Sequence, residues 1–82
     1  MQMLYRAEIT IQLKEGMLDP EGDTITRALM HLGYTVTSVR TAKKLLIELE
    51  ADCKEDAAER VDEMCRRMLA NPVIHNYSIE IR

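Results

Sequence analysis

Residues 3 to 13 alternate almost without a break. Met3, Tyr5, Ala7, Ile9, Ile11 and Leu13 point one way, and Leu4, Arg6, Glu8, Thr10, Gln12 and Lys14 the other. A period of two marks a strand with one face on a core and one polar face, and its length predicts a central strand. The period then changes. Ile25, Ala28, Leu29 and Leu32 fall at the i, i+3, i+4, i+7 spacing of a helix with one buried face. From Tyr34 to Thr41 the chain is rich in Thr and Val, which predicts a short second strand at an edge. Leu45, Ile47 and Leu49 alternate with Leu46, Glu48 and Glu50 as a third strand, joined to the second by a hairpin through Arg40 to Lys44. A second helical arc follows in Ala57, Ala58, Val61, Met64, Cys65, Met68 and Leu69. Tyr77, Ile79 and Ile81 alternate with polar residues as a last strand.

The punctuation supports these elements. Asp19 is placed to cap the first helix by accepting an orphan backbone N–H, with Pro20 at the first helical position, where its missing N–H costs nothing. A type I turn over Asp-Pro-Glu-Gly with Asp23 as the cap is the competing local reading, because Gly22 inside a helix costs roughly 1 kcal/mol. Gly33 supplies the left-handed residue that closes the helix. Asp52 and Glu55 stand at capping-box spacing before the second helix. Along it Asp56–Arg60, Asp62–Arg66 and Glu63–Arg67 form i, i+4 pairs with the acid N-terminal, the better orientation. Asn71-Pro72 ends it, Asn by taking the left-handed conformation and Pro by being unable to continue.

The element order β-α-β-β-α-β predicts an α+β fold: a ferredoxin-like sandwich, with both helices on one face of a four-stranded antiparallel sheet in the order 4-1-3-2. Residues 1–82 form a single domain, and domains this small bury only roughly 60–65% of their unfolded surface, so a partner subunit would help. The other sheet face would carry Arg6, Glu8, Thr10, Glu48, Ser78 and Glu80, too mixed in charge for a core and suited to water or a polar interface.

Composition removes several function classes. The net charge of −3 argues against nonspecific nucleic-acid binding, which needs a basic face. With no Phe and no Trp, and Tyr5 on the core side by alternation, the aromatic platform of an RNA-recognition module is missing. No apolar run approaches the ~20 residues of a membrane span, and no basic-then-apolar leader precedes the first strand, so a cytoplasmic chain is expected. Cys53 and Cys65, twelve positions apart on one predicted helix, would stand roughly 18 Å apart and cannot form a disulfide. Cys65 lies in the apolar arc as a small hydrophobe, while Cys53 sits near a helix N-terminus, where a thiol pKa falls.

Candidate chemistry is sparse. His31 and His75 have no acid or cysteine at ligand spacing, so no metal site is expected. Gly16 and Gly22 flank a loop whose Glu15, Asp19, Glu21 and Asp23 would repel phosphate, which excludes a P-loop. Met64 and Met68 are core by spacing. Met30 lies opposite the apolar arc of its helix, where a subunit contact is its natural role. No catalytic, cofactor-binding or metal-ligating residue is assigned.

Two blocks carry a resemblance. One is Leu13-Lys14-Glu15-Gly16-Met17-Leu18-Asp19-Pro20-Glu21-Gly22, continued by Ala28-Leu29 and Leu32-Gly33-Tyr34. The other is Met64-Cys65-Arg66-Arg67-Met68-Leu69-Ala70-Asn71-Pro72-Val73-Ile74, with Tyr77 beyond and Val39-Arg40-Thr41-Ala42-Lys43 between them. In combination they closely resemble the PurS family, the small subunits of phosphoribosylformylglycinamidine (FGAM) synthase, over essentially the whole chain. Ala42 stands where that family usually has Gly, and His75 and Asn76 where it usually has acidic residues nearby.

The resemblance implies an accessory subunit in de novo purine biosynthesis, not catalytic alone. The complex is an ATP-dependent carbon–nitrogen ligase that takes its amide nitrogen from glutamine. In that family a synthetase subunit (PurL) uses ATP and Mg on formylglycinamide ribonucleotide, a glutaminase subunit (PurQ) releases ammonia, and the small subunit, a homodimer or homotetramer, bridges them. The family assigns no catalytic residue to the small subunit. On physical grounds the candidate interface is the rigid, charged loop with Lys14, Glu15, Asp19, Pro20 and Glu21, together with Met30 and the hairpin residues Arg40 and Lys43. The alternative is a small-molecule-binding regulatory domain of the ACT type, which shares the expected topology.

Overall fold

The computed structural model describes residues 2–82. Its middle is β1, Met3–Leu13, the predicted alternating strand. β2, Ala42–Ala51, and β3, His75–Ile81, flank it antiparallel, giving a three-stranded sheet in the order β2-β1-β3. The alternation sets the faces. Ala7, Ile9 and Ile11 are buried, flanked by half-buried Leu45, Ile47 and Leu49 from β2 and Tyr77, Ile79 and Ile81 from β3. Over that face lies α2, Lys54–Met64, whose Ala57 and Val61 are fully buried. On the opposite face Arg6 pairs with Glu48 at 3.2 Å, and Glu8 lies between Lys44 at 3.3 Å and Arg82 at 3.5 Å. This face is polar, as the sequence predicts.

The four-stranded sheet in the order 4-1-3-2 is not present. Residues 34–41 form neither a strand nor a hairpin arm, and β2 begins at Ala42, with Lys43 and Lys44 inside the strand. The reason is local. α1, Pro20–His31, keeps its predicted cap: Gly22 donates its backbone N–H to Asp19 Oδ1 at 3.0 Å. Gly33, at φ +95°, turns the chain, and Tyr34 N–H reaches back to the Leu29 carbonyl at 3.1 Å. The segment after Gly33 then returns along α1, not along the sheet, so close that a Cβ on Gly22 would strike the Val39 carbonyl oxygen. Val39 meets that helix through its carbonyl, and Thr41 bonds to its capping residue Asp19.

α1 and its return segment form an arm. The helix does not pack on the sheet, so the expectation of two helices on one face holds only for α2. The molecule extends 56 × 25 × 14 Å with a radius of gyration of 16.6 Å. A compact chain of this length has a radius of about 12 Å. The face expected to be buried is open: Leu32 is 75% exposed, and Ile25 and Ala28 are also exposed.

The second helix departs from its predicted ends. Asp52 does not cap it; Cys53 occupies the cap position without a side-chain bond, and Asp56 Oδ2 instead accepts the Asp52 N–H at 3.2 Å. The predicted pairs are all made, Asp56–Arg60 at 3.1 Å, Asp62–Arg66 at 2.9 Å and Glu63–Arg67 at 3.2 Å. After Met64 the helix widens into a π-helical turn, Cys65–Leu69, sealed by Ala70 N–H to the Cys65 carbonyl at 2.9 Å. That extra residue rotates Met68 off the core side, and it is 83% exposed. Asn71 does not adopt a left-handed backbone either. Ala70 leaves the helix extended, and Asn71 Oδ1 accepts the Val73 N–H at 3.0 Å.

Candidate functional site

The base of the arm gathers most of the residues singled out in the sequence. Asp19 is 95% buried there, since its relative exposure is 5%. Besides capping α1, its carboxylate accepts the Thr41 backbone N–H at 2.7 Å and the Thr41 hydroxyl at 3.0 Å. One side chain therefore ties the entry of the arm to its exit. The Thr41 and Gly22 N–H groups, in that order, hold the Asp19 carboxyl below the ordinary carboxylate value of 3.8, with the Thr41 hydroxyl and Arg40 charge adding to them against the effect of burial.

Arg40 completes the clasp. Its Nη1 donates to the Met17 carbonyl at 3.2 Å and its Nη2 to the carbonyls of Lys14 at 3.3 Å and Leu13 at 3.4 Å. The guanidinium thus holds the loop between β1 and α1, where Gly16 turns with φ +84°. Lys14 donates its backbone N–H to the Ile74 carbonyl at 2.8 Å, which fixes the same loop to the entry of β3. Pro20 stands at the first helical position.

The expected interface residues divide accordingly. Asp19, Pro20 and Arg40 build the loop, and Lys14 anchors it through its main chain. Glu15, Glu21 and Lys43 are exposed around it, and Met30, 58% exposed, lies toward the far end of the arm. Glu21, Lys43 and His75 line a cleft of about 400 Å³ whose floor includes Ile11, Leu13 and Leu69. The sequence reading missed Thr41, which the β-type composition of its neighbours concealed, and the role of Gly22, for which a glycine at a helix-unfavourable position was the available signal.

Asp62 and Tyr77 tie α2 to β3. Tyr77 donates its hydroxyl to Asp62 Oδ1 at 2.6 Å, and Asp62 also takes Arg66. That bond lowers the Asp62 carboxyl and raises the Tyr77 phenol. Burial pushes the Cys65 thiol up, with the Asp62 charge adding to it, which is the setting of an inert thiol. Cys53 and Cys65 are both free. His75 accepts the Asn71 N–H at Nδ1, 2.9 Å away. Among the described residues no three His, Cys, Asp or Glu side chains gather as metal ligands, and no helix is long and apolar enough to cross a membrane.

Comparison with known proteins decides the family. The family model PurS, described as phosphoribosylformylglycinamidine (FGAM) synthase, matches residues 6–82. The chain belongs to the PurS family. It is 48% identical over 79 residues to the phosphoribosylformylglycinamidine synthase subunit PurS of Methanocaldococcus jannaschii, covering 95% of both chains. The corresponding subunit of Methanothermobacter thermautotrophicus is 43% identical over 79 residues, with 96% of this chain and 94% of that one covered. Among solved structures, PurS of Thermotoga maritima superposes with a TM-score of 0.89 at 34% identity, covering 100% of this chain and 95% of that one. A structure of PurLQS from Thermotoga maritima contains a chain that matches with a TM-score of 0.88 at 34% identity, over 98% of this chain and 99% of that one. The loop and clasp described above therefore belong to a family of FGAM synthase subunits, which decides against the regulatory-domain alternative.

Proposed function

We propose that this chain is the small accessory subunit through which FGAM synthase of purine biosynthesis is assembled, joining a synthetase subunit to a glutaminase subunit and supporting ammonia transfer between them. ATP and Mg belong to the synthetase, and the chain itself supplies shape, not a reacting group. Family membership and the PurLQS assembly of Thermotoga maritima support the reading. The observation that carries it is the arm: stiffened at its base by Asp19, Thr41 and Arg40, yet with the apolar face of its helix open. A helix fixed at its base that leaves Leu32 75% exposed and Ile25 partly so is built to be covered by another chain.

The chain works as a homodimer or homotetramer in the cytoplasm. Within the assembly Glu15, Glu21 and Lys43 meet a partner, with Met30 on the arm, while Lys14, Asp19, Pro20 and Arg40 hold the loop in shape for them. The test is reconstitution with synthetase and glutaminase subunits, ATP, Mg, formylglycinamide ribonucleotide and either glutamine or ammonia. Omitting the chain abolishes glutamine-dependent FGAM formation. The double reversal Glu15→Lys, Glu21→Lys lowers glutamine-dependent activity about tenfold and leaves ammonia-dependent activity within about twofold, as expected for loss of charged contacts worth about 1.4 kcal/mol together. Equal loss with both nitrogen donors, or loss with neither, overturns the docking role of the loop.

A further inference from the structure

The alternation that builds the core face of the sheet changes character at one end. Along β2 the core-face positions read Leu49, Ile47, Leu45 and then Lys43; along β3 they read Ile81, Ile79, Tyr77 and then His75. Between them β1 stays apolar, with Ile11 opposite Lys43 and Leu13 opposite His75. Directly opposite residues share a face, so a cation, an imidazole and an apolar strip lie side by side on the last two rungs. Above them lies the open cleft of about 400 Å³, walled by Leu69 at the end of the π-helical turn and by Glu21 and Thr41 at the base of the arm. Small-molecule sites have volumes of about 300–1,000 Å³.

The polar groups around this cleft have bonding capacity to spare. Among the described residues neither Lys43 nor Glu21 has an ion-pair partner, although they carry opposite charges and line the same space. His75 Nδ1 is occupied by the Asn71 N–H at 2.9 Å, so in the neutral ring the proton sits on Nε2, which is left to donate. Thr41 gives its hydroxyl proton to Asp19 at 3.0 Å, which leaves its oxygen as an acceptor.

We propose that the cleft binds a neutral α-amino acid with an aliphatic side chain. Lys43 and the His75 Nε2–H take its carboxylate, Glu21 and the Thr41 oxygen take its ammonium, and its side chain lies on Ile11, Leu13 and Leu69. The charge count selects the class. One cation and one anion balance a zwitterion, whereas a phosphate or a dicarboxylate brings a negative charge against Glu21 and a diamine brings a positive one against Lys43. The floor selects the side chain, since buried Ile11 and half-buried Leu13 and Leu69 reward an aliphatic group and offer no partner to a charged one. The site needs no other chain. It is therefore independent of the assembly role, although Glu21 and Lys43 take part in both.

The chain has two histidines, of which His75 lines the cleft, while His31 lies on the arm beside Arg27 and Met30. Proton NMR of the two imidazoles, as the purified chain is titrated at constant pH with L-leucine into the millimolar range, reads the site against an internal control. His75 is expected to shift and saturate with a dissociation constant of about 1–10 mM, while His31 stays in place. 4-Methylpentanoate, which lacks the ammonium, and isopentylamine, which lacks the carboxylate, are expected to bind about fivefold more weakly or worse, as is L-glutamate with its second carboxylate. Glu21→Gln and Lys43→Met remove one charge each from exposed positions and are each expected to weaken L-leucine binding about fivefold, whereas Arg27→Gln leaves it unchanged. No shift at His75, equal shifts at both histidines, equal binding of the acid or the amine, or full affinity in both charge variants overturns the site. None of these results bears on assembly, which the reconstitution above tests separately.

Discussion

Asp19 could have been an ordinary helix cap, worth having but replaceable. The structure gives it a second partner in Thr41, so its two oxygens hold both ends of the arm. The sign of its pH dependence follows. Its folded pKa lies below the unfolded value of 3.8, so its contribution is fully present above that value and is lost as pH falls through the folded one. Asn at this position keeps an acceptor for the cap but loses the titrating group. Asp19→Asn is therefore expected to remove the acid-induced loosening of the arm, read as amide exchange at Thr41 across an acid titration. Thr41→Val is expected to move the Asp19 carboxyl titration, followed by carbon NMR, back toward 3.8.

Gly22 makes the opposite trade. Helix propensity alone favours Ala there by about 1 kcal/mol. The Val39 carbonyl occupies the place of the Cβ, so Gly22→Ala must push the return segment away from the helix. Loss of the Thr41–Asp19 bond, seen as faster exchange of the Thr41 amide, is the expected result. If Ala instead slows that exchange, the close approach does not hold the arm.

At the scale of elements, β1 was readable because its pattern is determined by a single boundary between core and water. Truncating its centre checks that. Ile9 is fully buried, so Ile9→Ala is expected to cost about 2–5 kcal/mol in urea denaturation, whereas Met68→Gln stays within about 0.5 kcal/mol. The pair separates the α2 arc as drawn on an ideal helix from the arc as built. Simple helical spacing places Met68 beside Met64; the π-helical turn inserts one residue's worth of rotation and removes it. Nothing in Cys65-Arg66-Arg67 announces such a turn. Residues 34–41 failed for a different reason. Val36 and Val39 have the composition of a strand, but composition says only that a segment suits an extended path, not which surface it runs along. The signals that would have redirected it were in α1: a glycine where a helix prefers alanine, and a capping acid with an unused oxygen. The cap at Asp19, Pro20 at the first helical position and Gly33 at the end were legible because each answers a backbone requirement within a few residues.

At the scale of the whole molecule, the core is confined to one sheet face and one helix, and the arm stands outside it. A helix of 12 residues without tertiary cover is marginal in water. Its support here is the return segment on one side and the clasp at its base, with no sheet beneath it. The arm is therefore expected to open as a separate unit: in dilute chain, amides of α1 exchange faster than those of Ala7, Ile9 and Ile11, by about tenfold or more, reflecting local opening at lower free energy than global unfolding. Leu32→Gln should leave the urea midpoint of the sheet unchanged, because that side chain is already in water. Adding the synthetase and glutaminase subunits should then slow exchange in α1 more than in β1, as the proposed covering of Ile25, Ala28 and Leu32 by a partner requires. If α1 in the free chain is as protected as β1, or if protection on assembly falls on the sheet and spares the arm, the arm is not the element through which this subunit is held.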